Sequence, residues 1–293
     1  MLIELDGVGM TYPSPSGPVE ALSGISFGVG RGELVALVGP SGCGKSTLLR
    51  VVAGLRPPTA GRARVEGRPV VAPIPAVGMV FQAPVLLRWR RLLDNVLLPV
   101  DLAGRRRADY RERARELLRT TGLAGFAEKY PAELSGGMQQ RASLCRALIL
   151  DPPILLMDEP FGALDAMTRD EMNLELLRVW GETTGPAEQR KTILFVTHSI
   201  PEAVFLADRV VVMTPRPGRV ARVVEVALPR PRTMAQRADP AFGRLALEIY
   251  ETLTFGEPQS EARRADTFGE PQSEARRADT FGEPQPEARR ADI

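Results

Sequence analysis

The chain has 293 residues with 38 Lys+Arg against 36 Asp+Glu, a net charge of +2, and ordinary apolar and aromatic fractions. That length supports a sizeable core. The near-neutral balance gives no global argument for a nucleic-acid or anionic-membrane partner, either of which would need a local patch, and no nucleic-acid partner is expected. Two cysteines far apart, Cys43 and Cys145, exclude a disulfide framework and fit a reducing compartment. No segment reaches the roughly 18 uninterrupted apolar residues of a spanning helix, and the start lacks a leader pattern, so contact with a membrane is expected only through partners.

In chain order, residues 2 to 30 alternate apolar and polar positions between Gly and Pro, which predicts short antiparallel strands. "ELVALVG" (Glu33 to Gly39) is a continuous apolar run, the pattern of a strand buried on both faces. It leads through a Gly-rich turn into "KSTLLRVVAGL", apolar at helical spacing. From about 83 to 150 the chain turns helical and Arg-rich, and "RADYRERARELLRTTGL" is the clearest amphipathic helix, stopped by Gly122. Strands return at "PILLMDE", "TILFVTH" and "RVVVM" with helical stretches between them, as in a mostly parallel α/β sheet. The expected organisation is therefore an α/β core with an N-terminal antiparallel β subdomain and an inserted helical subdomain, spanning 1–229, then a C-terminal helical extension at 230–253. "TFGEPQSEARRAD" then occurs three times in 254–293, with Pro286 replacing Ser in the last copy. A 13-residue period carrying one Phe, a Gly and a Pro is too short and too polar for a packed repeat, so a disordered tail is expected.

The chemistry begins at "GPSGCGKST": Gly39, Pro40, Ser41, Gly42, Cys43, Gly44, Lys45, Ser46 and Thr47. This fits G-x-x-x-x-G-K-[ST] between a buried strand and a helix, the context the phosphate loop requires. The glycines free backbone N–H groups for phosphate oxygens, Lys45 reaches the β- and γ-phosphates, and Ser46 can hold Mg²⁺. Cys43, inside this loop and beside positive charge, is expected to react with maleimide, while Cys145 is expected to be helical and shielded. "ILLMDE" ends in Asp158 and Glu159 at the C-terminal end of a strand, where Asp158 can take the metal's hydration shell and Glu159 can polarise a water.

"LSGGMQQR", with Leu134, Ser135, Gly136, Gly137 and Met138, resembles the signature motif of the ATP-binding-cassette family. A Ser that can cap a helix, followed by two glycines, is a second anion site. Met138 stands where the broad family pattern has Gln. The resemblance covers residues 2 to about 225 and implies a phosphate-loop NTPase core that uses ATP and Mg²⁺. It further implies that Tyr12 stacks on adenine, that Gln82 contacts the metal and the attacking water, that Asp165 of "GALD" communicates across a dimer, and that His198 is the γ-phosphate switch. Ser135 and Gly137 of a second copy would close on ATP held by Lys45, Ser46 and Thr47.

"FQAPVLLRWRRLLDNVLLPVDLAG" and "FVTHSIPEAVFLADRVVVMTPRPGRV" are similar to the nitrate, sulfonate and taurine group of bacterial importers. That implies two membrane permease subunits, an extracytoplasmic substrate-binding protein, and a place on the cytoplasmic face of the membrane. Permease helices would dock in a groove near Gln82, for which Leu86, Leu87 and Trp89 are candidate lining residues, with ordinary helical core as the other reading. Sulfonates, taurine, nitrate and pyrimidine precursors all remain open as cargo. A chromosome-organising ATPase would need a long coiled coil between phosphate loop and signature, yet only about 90 residues separate Lys45 from Ser135 and no sustained heptads appear. A translation-associated relative would carry two cassettes in one chain, and a small-molecule kinase has no use for the signature.

Overall fold

The computed structural model describes residues 1–181 and 189–256. The four uninterrupted apolar runs become the centre of one sheet. β3 (Leu34–Val38), β7 (Ile154–Asp158) and β8 (Thr192–Val196) are buried at every position, and β9 (Arg209–Met213) at all but its first. Each fully buried Val, Leu or Ile there contributes about 1.5–3 kcal/mol relative to exposure, which is why these segments hold the fold. The strands pair in parallel, joined at one edge by β6 (Val77–Val80) and closed at the other by antiparallel β10 (Val220–Glu225), in the order β10-β9-β3-β8-β7-β6. A helix of the α/β core follows β3, β7 and β8 in turn: α1 (Lys45–Val52), α6 (Ala166–Trp180) and α7 (Ile200–Leu206).

The N-terminal strands β1 (Ile3–Tyr12) and β2 (Val19–Val29) are long rather than short, and register shifts along β1 let them bend. They form a second, antiparallel sheet with β4 (Ala60–Val65) and β5 (Arg68–Pro69), in the order β2-β1-β4-β5. Its inner face shares one apolar cluster with α1 and the near face of the parallel sheet. The helical block comprises α2 (Leu92–Val96), α3 (Leu98–Leu102), α4 (Arg107–Thr120) and α5 (Gly136–Leu148), and has its own cluster from Leu92 to Ile149. After residue 230, a 3₁₀ turn at Met234–Ala238 precedes α8 (Pro240–Phe255), whose Phe242 and Ile249 enter the main core. The last helix thus takes in Thr254 and Phe255, the first two residues of the repeat, because Thr252 and Leu253 still pack inward. The remainder of the repeat tail lies outside the described residues. No helix among them is long and apolar enough to cross a membrane.

Candidate functional site: a phosphate-loop pocket

The end of β3 delivers Gly39 to the C-terminal edge of the parallel sheet, and the loop turns into α1 at Gly44. Gly44 has φ 101°, and a Cβ there would lie 2.5 Å from the Leu22 side chain, so only glycine allows this turn to nest against β2. The loop encloses Lys45, which is buried and donates to the carbonyl oxygens of Gly39 (2.7 Å) and Pro40 (3.1 Å). Above it opens a cavity of about 360 Å³ lined by Tyr12, Ser41, Gly42, Gly44, Lys45, Ser46, Thr47, Gln82, Glu159 and Arg216, with Val19 and Ala21 as its apolar wall. Helix N-terminal N–H groups and a lysine facing one polar cavity make an anion site.

Two carboxylates flank it, and their surroundings differ. Asp158 is buried at the end of β7, and its Oδ1 accepts the Ser46 hydroxyl at 2.9 Å. Burial pushes its carboxyl above the ordinary value, while the Ser46 bond and the nearby Arg50 and Lys45 charges oppose the rise. A bound cation would favour the charged form. Ser46 Oγ with one carboxylate oxygen is the hard-oxygen donor set that Mg²⁺ takes together with substrate phosphates. Among the described residues there is no group of three or more His, Cys, Asp or Glu side chains that could hold a metal.

Glu159 sits in the left-handed region at φ 47°, with its N–H bonded to the carbonyl oxygen of Val196 at the end of β8. A non-glycine residue there costs about 1 kcal/mol, a strain that aims the carboxylate toward the pocket. Its Oε2 accepts from Gln82 Nε2 at 3.3 Å and lies 3.2 Å from His198 Nδ1. Residues from the ends of three neighbouring strands, β6, β7 and β8, therefore meet at one oxygen. Tyr12 both packs against the N-terminal core and places its hydroxyl 3.3 Å from Thr47 Oγ1, so it stands at the cavity wall.

The signature residues lie on a different surface. Ser135 caps α5, accepting the Met138 N–H at 3.2 Å, and Leu134 is buried. A Cβ on Gly137 would approach Leu164 to 2.9 Å, whereas Gly136 faces open space. Met138 packs against the helical cluster. Asp165 caps α6 through the Thr168 N–H at 3.0 Å, and that bond holds its carboxyl below the usual range. Cys43 departs from expectation: it is completely buried, its sulfur turned toward the core beside Gly39 and Met213, so the loop contributes backbone there and no accessible thiol. Cys145 is buried in α5, and burial pushes its thiol up to about 12.

A second cavity, about 370 Å³ and mainly apolar, runs between β6 and the helical block, with Phe81, Val85, Leu87, Leu98 and Leu102 on its walls. Of the three residues assigned to such a groove, only Leu87 lines it. Leu86 packs into the helical cluster, and Trp89 is 75% exposed outside the cavity. Arg216 is the site residue the sequence reading missed. It lies in the turn after β9, where no local pattern ties it to the phosphate loop.

The ABC transporter family model matches residues 22–162. An uncharacterised ABC transporter ATP-binding protein of Methanocaldococcus jannaschii is 47% identical over 214 residues, 73% of this chain and 78% of the relative. The chain belongs to the ABC transporter family. Among relatives of this family, a taurine import ATP-binding protein of Burkholderia thailandensis is 43% identical, covering 84% of this chain and 94% of its own length. A nitrate import ATP-binding protein of Synechococcus elongatus is 41% identical, with 86% and 91% covered. A dimeric ATP-binding cassette in a post-hydrolysis state, bound to ADP and Pi, superposes with a TM-score of 0.69 at 32% identity, over 77% of this chain and 99% of that one.

Proposed function

We propose that this chain is the ATP-hydrolysing subunit of an ABC importer of the taurine/nitrate type, acting as a homodimer on the cytoplasmic face beneath two membrane permease subunits. The carrying observation is that Gln82 and His198 meet at one carboxylate oxygen of Glu159, and that Gln82 and Glu159 line the same cavity as Lys45 and Ser46. Lys45 and the loop N–H groups hold the β- and γ-phosphates of ATP, and Tyr12 faces the adenine side. Ser46 and Asp158 are the residues that would hold Mg²⁺, which would supply charge neutralisation on the phosphate oxygens. Glu159 accepts the proton of the attacking water, which Gln82 orients, while His198 contacts the γ-phosphate from the end of β8.

Ser135, Gly136 and Gly137 act on the partner copy's ATP, where the open space beside Gly136 leaves the helix N-terminus accessible. Asp165 borders the same interface. The apolar cavity at Phe81 and Leu87 receives a short permease helix, and cargo arrives through an extracytoplasmic substrate-binding protein. The names of the relatives support a small taurine-like or nitrate-like solute.

Glu159→Gln tests the reading. The variant is expected to bind ATP normally, to hydrolyse it at least about a hundredfold more slowly, and to run as an ATP-dependent dimer in size exclusion. Hydrolysis at the wild-type rate removes Glu159 from the role of base.

A further inference from the structure

The turn between β9 and β10 is fixed to β2 by backbone hydrogen bonds and lies against the phosphate loop. Gly218 donates to the carbonyl oxygen of Ala21 at 3.0 Å and accepts from the Ser23 N–H at 3.0 Å, which fixes the turn to β2. Thr214 and Arg219 close it, N–H of Thr214 to O of Arg219 at 3.0 Å and N–H of Arg219 to Thr214 Oγ1 at 3.0 Å. Any Cβ at Gly218 would collide with the carbonyl oxygen of Cys43, so the turn lies directly against the loop. The position of Arg216 is thereby set by the fold and not by its own side-chain packing.

Arg216 Nε donates to the carbonyl oxygen of Gly42 at 3.3 Å, and the side chain lines the same cavity as Lys45, Ser46 and Thr47. The side chain is exposed, and among the described residues no carboxylate pairs with it. Four guanidinium N–H donors remain after the bond to Gly42. Lys45 occupies the cavity floor, tied to Gly39 and Pro40, and Arg216 stands at the lip above Gly42.

We propose that Arg216 is a second cationic contact for the phosphate chain of the bound nucleotide, gripping it from the lip while Lys45 holds it from below. The inference rests on the ATP reading of the cavity. A planar fork with spare donors beside a polyphosphate forms charge-assisted bonds, and such bonds are about twice as strong as neutral ones.

The test is ATP affinity of the full chain, read by titration with a fluorescent ATP analogue, for wild type, Arg216→Ala, Arg216→Lys and Arg216→Gln, with Lys45→Ala as reference. Arg216→Ala should weaken binding about tenfold. Lys should recover most of that and Gln little, and the alanine variant should lose part of the wild-type decline of affinity with added salt. A prop for the Gly42 carbonyl alone would be served by any donor, so equal affinities for the Lys and Gln variants overturn the proposal even if the alanine variant folds poorly. If Lys45→Ala loses affinity and Arg216→Ala keeps it, the Arg216 contact fails and the ATP reading stands. A wild-type chain that does not bind the analogue sinks both.

Discussion

Cys43 shows what a motif leaves open at the scale of one residue. Its place in the phosphate loop follows from spacing alone, and so does the expectation of a reactive thiol. The direction of its side chain depends on tertiary packing: it points into the apolar cluster that holds Leu48 and Met213. Maleimide at neutral pH is therefore expected to leave Cys43 unmodified in the folded protein, with fewer than about one in ten chains labelled before denaturant is added. Mass spectrometry of native and unfolded samples decides it, and rapid native labelling protected by MgATP would show that the loop opens. Lys45, Ser46, Asp158 and Glu159 were legible because two local patterns, strand–loop–helix and strand–carboxylate, each carry their own geometry. Arg216 was not, since its partner Gly42 is 174 residues away and its position depends on Gly218, whose missing side chain permits the contact.

At the scale of elements, the buried runs were readable because a strand covered on both faces has only one composition, and they became β3, β7, β8 and β9 within a residue or two. The strands β4 and β5 were not readable: in "AGRARV" only Ala63 and Val65 are buried, and Arg62 and Arg64 are exposed. The helical block hides its joints in the same way. The loop bearing Gln82 hangs from α5, with Gln140 donating to the Phe81 carbonyl oxygen at 3.1 Å and Arg146 to those of Pro84 and Val85 at 2.8 and 2.7 Å, so a movement of the signature helix would carry that loop. Within the block, Asp101 of α3 accepts from Arg90 at 2.8 Å and twice from Arg107 at the start of α4, and Arg107 also reaches Asp94. The Arg107 bonds, followed by those from Arg90, hold the Asp101 carboxyl down at about 2. A depressed carboxyl stabilises above its unfolded value near 3.8 and loses that contribution as pH falls toward 2. Asp101→Asn should thus lower the melting temperature by about 2 to 4 °C at pH 7, and the gap should narrow by pH 3. A gap that stays constant with pH would mean that Asp101 acts through shape and not charge.

At the scale of the whole molecule, the cassette was the most legible feature because its two motifs, the phosphate loop and the signature, occur in one chain in the order that the family resemblance implies. The C-terminal boundary was harder, since α8 runs on into the repeat and ends only at Gly256, with φ 77°. A cut after Leu253 would remove Thr254 and Phe255 from the last turn, and with them the bond from Thr254 Oγ1 to the Tyr250 carbonyl oxygen. The informative cut is after Gly256. Beyond it each 13-residue copy offers one Phe against three acidic and two basic side chains, with a Gly-Glu-Pro that interrupts any helix begun by "SEARRAD". On composition alone, one aromatic per copy is not expected to offset the ordering of thirteen residues at about 1–2 kcal/mol each. Truncation after Gly256 should accordingly leave the ATPase rate within about 20% of wild type and the melting temperature within about 1 °C, since surface changes away from any core cost little. Protease should cut the full chain first at the Arg pairs Arg263–Arg264 and Arg276–Arg277. The rival idea is that Phe268 and Phe281 add to Phe255, which stands 80% exposed at the end of α8, as evenly spaced anchors for a permease. Turnover in permease-containing membranes separates the two: a several-fold loss on truncation, with solution ATPase unchanged, would make the repeat a docking segment.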